Sequence, residues 1–112
     1  LLMGAANCGH ERVVELLLRH GAEINQQNSG GGTALMAAAG QGHDRVVVLL
    51  LQRGAAINKQ KGNGDTALVL AAANGHERVV ELLLRGGAEI NVQSSTGVTA
   101  LMYAADKGHV RV

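Results

Sequence analysis

Two stretches of the sequence decide the fold, because they carry one pattern twice. Residues 33–58 are TALMAAAGQGHDRVVVLLLQRGAAIN, and residues 66–91 are TALVLAAANGHERVVELLLRGGAEIN. The second stretch begins 33 residues after the first, and the pair Gly-His recurs at this same interval, at His10, His43, His76 and His109. A strict period of this length indicates supersecondary units that stack on one another.

Each unit carries the signals of two helices joined by a tight turn. Thr33 can cap a helix with its hydroxyl, and residues 34–39 are mostly strong helix formers. Gly42 can end this helix, and Asp44 begins a second one. Gly54 stands where a helix ends in a left-handed residue. The pattern predicts a short helix, a turn, a longer helix and a loop.

The second helix cannot bury its apolar side within its own unit. Residues 46–51 form a wide apolar stripe with Leu50 at its centre, whereas the first helix is short and rich in Ala. Each unit must therefore pack against neighbours on both sides, with the thin first helices on the inside of a curve. The loop at residues 25–32 is rich in Asn, Ser and Gly, which predicts an extended turn or hairpin between units.

This pattern resembles the ankyrin repeat along essentially the whole chain. The matching elements are Gly-x-Thr-x-Leu, Ala-Ala-x-x-Gly-His, x-x-Val-Val-x-Leu-Leu-Leu and x-x-Gly-Ala-x-Ile-Asn. The resemblance implies an all-α ankyrin-repeat solenoid of helix-turn-helix units joined by hairpin loops. The Thr-Pro-Leu-His opening of the family is here Thr-Ala-Leu-Met or Thr-Ala-Leu-Val. Losing a compatible Pro costs about 0.4–1 kcal/mol of stability through the unfolded state.

The period divides the chain into a single domain, residues 1–112. It comprises a partial repeat at 1–27, full repeats at 28–60 and 61–93, and a partial repeat at 94–112. Both terminal repeats are incomplete by this alignment, so we expect apolar core positions to be exposed at the two ends. This favours a piece of a longer array, or copies that associate end to end.

Composition excludes several classes of function. Ten basic and nine acidic residues leave a net charge of +1, and Tyr103 is the only aromatic residue, which argues against nucleic-acid binding. The longest apolar run, residues 67–73, is far shorter than the ~20 residues that span a membrane. Cys8 is alone and cannot form an intrachain disulfide, so we expect an intracellular protein, cytoplasmic or nuclear.

No residue pattern predicts catalysis, a cofactor or a metal site. The four histidines of the Gly-His pairs lie one per unit, and packed helices stand ~8–10 Å apart, too far to share an ion that needs ligands at ~2 Å. We interpret them as turn residues that bond the loop before the second helix. The glycines at 30–32 lack the Lys of a phosphate-binding loop and are expected to form a hairpin tip.

Positions that differ between otherwise equal units are free to serve a partner. They fall on the hairpin tips and on the first helices, the surface that ankyrin repeats use for binding. The predicted partner-binding residues are Ser29, Gly30, Gly32, Gln41, Asn63, Asp65, Asn74, Thr96, Val98, Tyr103, Asp106 and Lys107. Tyr103 either fills space between inner helices or anchors a partner. Neutral drift at exposed sites is the alternative explanation for this variation.

The sequence therefore predicts a non-enzymatic scaffold that binds another protein through its hairpin tips and concave inner-helix face. The alternative is a structural spacer in a longer array, with no dedicated partner. The resemblance also suggests hydroxylation of Asn25, Asn58 and Asn91. Against this, each Asn could fix its hairpin through side-chain hydrogen bonds.

Overall fold

The structure, a computed structural model, describes residues 1–88, and this part of the chain contains helices but no strand. The helices are α1 (Leu2–Asn7), α2 (Glu11–Arg19), α3 (Ala34–Gln41), α4 (Asp44–Gln52), α5 (Ala67–Ala73) and α6 (Glu77–Arg85). They form three pairs, which we call unit 1 (α1 and α2), unit 2 (α3 and α4) and unit 3 (α5 and α6). The predicted partial repeat at 94–112 lies outside the described residues.

Side-chain caps and glycines set the bounds of the first helices. Thr33 Oγ1 accepts a hydrogen bond from Met36 N at 3.3 Å, and the equivalent Thr66 does the same in unit 3, which confirms the predicted cap. α3 continues to Gln41, beyond the predicted residues 34–39. It ends only at Gly42, whose φ of +75° lies in the left-handed region.

The units stack through both layers of helices. The first helices pack in the order α1, α3, α5, and the second helices in the order α2, α4, α6, with the closer packing among the first helices. Such packing favours a curve with the first helices on its inner side. Leu50 and its counterpart Leu83 are fully buried, as predicted for the centre of the stripe.

Leu17, the counterpart of Leu50, is only half-buried, as expected of a core position in the first repeat, because unit 1 is packed by another described unit on one side alone. One feature of the core was not predicted. Ile24 and Ile57 lie in the loops after α2 and α4, yet they pack against the helical core. The loops therefore add apolar contacts that helical periodicity does not reveal. None of the helices in residues 1–88 is long and apolar enough to cross a membrane.

Candidate protein-binding surface

The loop before α3 projects from the helices as a tight turn, residues 28–32, which we call finger 1. Asn28 N donates to Gly32 O at 2.9 Å, and Gly31 N donates to Asn28 O at 2.9 Å. The Asn28 side chain closes the turn, since its Oδ1 accepts from Gly30 N at 3.0 Å and from Gly32 N at 2.8 Å. The predicted hairpin is thus a β-turn without flanking strands.

The equivalent loop before α5, residues 61–65, forms finger 2. Lys61 N donates to Asp65 O, and Gly64 N donates to Lys61 O, both at 2.8 Å, so the backbone pattern of finger 1 is repeated. Lys61 replaces Asn28, and its side chain cannot accept a hydrogen bond. Here the Oδ1 of Asn63 accepts from Asp65 N at 3.0 Å, while its Nδ2 donates to Asp65 Oδ2 at 3.1 Å.

The two fingers are joined to each other. Gly62 N in finger 2 donates to Gly30 O in finger 1 at 2.9 Å. Gln27 Nε2 donates to Gly31 O at 2.9 Å, and Gln60 Nε2 repeats this bond to Gly64 O. This role of Gln27 and Gln60 was not predicted, although the two residues occupy the same position of the 33-residue repeat. The fingers consequently form one continuous edge.

Five of the predicted partner-binding residues are exposed within the described part of the chain. Ser29, Gly30 and Asn63 lie on the fingers, and Gln41 and Asn74 lie at the ends of α3 and α5. Asn74 also has a structural role, since its Nδ2 donates to Gly40 O of unit 2 at 2.8 Å. The predicted residues Thr96, Val98, Tyr103, Asp106 and Lys107 lie outside the described part of the chain.

Gly32 and Asp65, which occupy one position of the repeat, are buried, which corrects the expectation that this position faces a partner. Each residue immediately precedes the Thr that caps a helix, and its carbonyl closes its finger. Asp65 is 8% exposed, and its carboxylate turns toward Asn63 rather than outward. The variation at this position therefore accompanies a change inside the finger.

Two histidines of the Gly-His pairs, His43 and His76, connect units. His43 Nε2 donates to Asn7 O at 2.9 Å, and His76 Nε2 donates to Gly40 O at 3.0 Å, so each ring bonds the preceding unit rather than its own loop. A carbonyl can only accept, so Nε2 carries the proton in this arrangement. The ring also covers the preceding unit's turn glycine: a Cβ on Gly42 would lie 2.6 Å from His76 Nδ1.

Asn25 has a similar connecting role. Its Oδ1 accepts from Ala56 N of the following unit at 2.7 Å, and the bond is partly buried. This bond agrees with the interpretation that the Asn fixes the loop by side-chain hydrogen bonds. Hydroxylation of Asn25 or Asn58 stays a prediction, and Asn91 lies outside the described residues.

Residues 1–88 show few other arrangements of side chains that could bind a metal ion, react or form ion pairs. No group of three His, Cys, Asp or Glu side chains in this range is placed to hold a metal ion, and Cys8 is an exposed thiol. On the outer side, Arg53 Nη2 lies 3.4 Å from Glu15 Oε2, linking α4 to α2. Both side chains are over a third exposed, so this ion pair adds little stability.

Stacked helix pairs with a row of joined fingers define a helical-repeat protein of the solenoid class. The sequence matches the family model described as ankyrin repeats (3 copies) over residues 2–94 and 54–112, which together span nearly the whole chain. A comparison with curated proteins found no match. The chain belongs to the ankyrin repeat family, as its sequence pattern predicted. Ankyrin repeats are generally protein–protein interaction modules and typically not enzymes.

Proposed function

We propose that this protein is a non-enzymatic scaffold that binds another protein along its fingers and the exposed edge of its first helices. The observation that carries the proposal is the bond from Gly62 N to Gly30 O, which joins exposed tips of neighbouring units into one edge. A surface that is already ordered loses less conformational entropy on binding. The site of action that we propose is intracellular, cytoplasmic or nuclear.

The proposed surface differs in chemistry from the outer side of the array. It presents the uncharged side chains of Ser29, Asn63 and Gln41, together with the half-buried residues Ala37, Leu70 and Lys61. The outer side carries charged residues of both signs along α2, α4 and α6, among them Glu11 and Arg78. We therefore propose that the partner contributes a polar, uncharged segment with a small apolar side chain.

A matched pair of substitutions tests which side binds. Gln41 ends α3 and Gln52 ends α4, and both are exposed, so Gln41→Arg and Gln52→Arg make the same chemical change on the two sides. Cross-linking in the native cell, followed by mass spectrometry, identifies candidate partners, and titration of each purified candidate measures its Kd. Gln41→Arg should raise the Kd at least about tenfold, whereas Gln52→Arg should leave it unchanged.

Two outcomes would overturn this proposal. If Gln52→Arg alone weakens binding, the partner uses the outer side. If no candidate binds the purified protein, the chain is the spacer that the sequence left open as an alternative. For the predicted contacts beyond residue 88, Tyr103→Ala should also weaken binding, and Thr96, Val98, Asp106 and Lys107 are to be scanned in the same assay.

A second candidate function, association with another copy, is favoured by the apolar face of unit 1. Val13 is 45% exposed and Leu16 is 50% exposed, whereas their counterparts Val46 and Leu49, on α4, are 1% and 8% exposed. Unlike α2, α4 packs against the second helix of a preceding unit. His10 is likewise exposed, although its counterpart His43 bonds the preceding unit. This face thus repeats the receiving half of the interface between units, and we propose that a second copy of the chain covers it.

Sedimentation of the full chain over a range of concentrations tests this association. We expect the mean mass to rise with concentration, and Val13→Glu to abolish the rise. Leu84→Glu is the matched control, since Leu84 is 37% exposed on α6, away from that face. A mass that stays monomeric at every concentration, or that responds equally to both substitutions, would refute the association.

A further inference from the structure

Two asparagines in this sequence precede a glycine: Asn63, in finger 2, and Asn74, at the end of α5. Glycine has no Cβ, so its backbone nitrogen can approach the preceding side-chain amide without hindrance. We propose that Asn63 is a site of spontaneous deamidation, with water as the second reactant, and that the modification opens finger 2. The inference does not depend on any partner.

The reaction balances with water alone. The backbone nitrogen of Gly64 attacks Cγ of Asn63, a new N–C bond forms, and the bond from Cγ to Nδ2 breaks. Ammonia leaves with the proton that Gly64 N has lost. Water then adds to one of the two carbonyls of the cyclic imide, which yields either aspartate or isoaspartate at position 63. No electron transfer takes place.

The surroundings of Asn63 favour this attack. Asp65 N donates to Asn63 Oδ1 at 3.0 Å, which draws electron density away from Cγ and makes it more electrophilic. Asn63 is exposed, and the bond that must break to free the nucleophile, from Gly64 N to Lys61 O, belongs to a surface turn. Such turns open locally at a lower free energy than packed helices.

Asn74 provides the contrast within the same chain. Both leaving groups donate a hydrogen bond, but Asn74 Nδ2 donates to Gly40 O of another unit at 2.8 Å, whereas Asn63 Nδ2 donates within its own finger. The nitrogen of Gly75 donates to Ala72 O, the carbonyl of a residue in α5. Residues 74 and 75 connect α5 to α6, whose packing faces are buried. Cyclisation at Asn74 therefore requires a helix junction to come apart as well as a bond between units.

Deamidation removes the donor that holds Asp65. Asn63 Nδ2 donates to Asp65 Oδ2 at 3.1 Å, and Asp65 Oδ1 is buried without a hydrogen-bond partner. A carboxylate at position 63 would face a second, buried carboxylate at this distance, which is unfavourable for both charges. The isoaspartate form also lengthens the backbone, which displaces Lys61 N from Asp65 O. Finger 2 then separates from finger 1.

The rate is tested by incubating the full chain at neutral and mildly alkaline pH and mapping its peptides by mass spectrometry over time. We expect Asn63 to convert several-fold faster than Asn74, faster at alkaline pH, and to yield both aspartate and isoaspartate. Conversion of Asn74 at a rate equal to or greater than that of Asn63 would overturn the proposal. So would the finding that Asn63 stays intact, whether or not Asn74 has reacted.

The structural consequence is tested separately with Asn63→Asp, which reproduces one product. We expect its thermal midpoint to fall by about 4 °C or more. Asp65→Gly installs the residue that finger 1 has at this position and removes the opposing charge. The substitution Asn63→Asp should cost much less in that background. An equal cost in both backgrounds would show that charge repulsion does not open the finger.

Discussion

Fingers 1 and 2 have the same backbone and are closed by different residues. In finger 1 the amide that accepts from the turn belongs to Asn28, at the first position, and the third position is Gly30. In finger 2 the first position is Lys61, and the closing amide belongs to Asn63, at the third. The backbone N–H of the last finger residue thus finds a side-chain acceptor in both fingers, at the first position in finger 1 and at the third position in finger 2.

The comparison shows that variation between repeats does not by itself identify a binding surface. Positions 28 and 61, 30 and 63, and 32 and 65 all differ between the two units. Four of these residues, Gly30, Gly32, Asn63 and Asp65, were predicted from the sequence to bind a partner. In the structure these differences are linked. Asn63 in place of Gly30 supplies the side-chain amide that closes the finger, and its Nδ2 donates to the Asp65 carboxylate, which stands in place of Gly32. Of the finger residues, Ser29 best fits the original argument, since it is exposed and closes nothing.

The largest expected effect tests whether the two fingers share one cooperative scaffold. Leu50→Ala should destabilise the protein by about 2–5 kcal/mol, because Leu50 is fully buried and its removal leaves a cavity. Hydrogen exchange should then accelerate in both fingers alike. The control is Gln41→Ala, which should change the free energy of unfolding by less than about 0.5 kcal/mol. If exchange accelerates in one finger only, the fingers are independent.

The repeat architecture could be predicted because it depends on local signals that occur in every unit. Thr33 and Thr66 cap helices, Gly42 ends one, and the stripe around Leu50 requires neighbours on both sides. These features follow from backbone conformation and apolar periodicity, which a single unit already displays.

The connections between units could not be predicted in the same way. His43 bonds Asn7, and Asn25 bonds Ala56, across 36 and 31 residues of sequence. The geometry of such bonds depends on how the units stack, and the period shows only that these residues recur. The burial of Asp65 was missed for the same reason: nothing in the composition of a polar loop indicates which of its residues faces inward.

The next effect concerns the contact between fingers. Gly31 has a φ of +86°, and a Cβ there would lie 3.0 Å from both Gly62 N and Lys61 Cα, so Gly31→Ala should cost about 2–3 kcal/mol. Gly54→Ala is the control: its φ is +87°, with nothing within 4 Å of the added Cβ. It should cost only about 1 kcal/mol, from backbone strain partly offset in the unfolded state. If chemical denaturation shows the same loss of unfolding free energy for both substitutions, Gly31 does not make a close contact with finger 2.

A smaller effect tests whether the closing amide can be moved. Asn28→Ala should lower the free energy of unfolding by about 1–2 kcal/mol, since Gly32 N is partly buried and loses its side-chain acceptor. Gly30 does not have a positive φ, so Gly30→Asn places an amide where finger 2 has Asn63. Asn28→Ala combined with Gly30→Asn should recover most of the loss. A double-mutant cycle measures the coupling, and purely additive effects would refute the exchange.

The smallest effect comes from giving finger 2 both amides, through Lys61→Asn. Its new Oδ1 could accept from Asp65 N, as Asn28 Oδ1 accepts from Gly32 N, but that N–H already donates to Asn63 Oδ1 at 3.0 Å. One N–H shared between two acceptors gains little, so stability should change by less than about 0.5 kcal/mol. In the background of Asn63→Ala, where the acceptor is missing, the same substitution should stabilise by about 1 kcal/mol. If Lys61→Asn stabilises the unmodified protein by that larger amount, Asn63 is not the residue that closes finger 2.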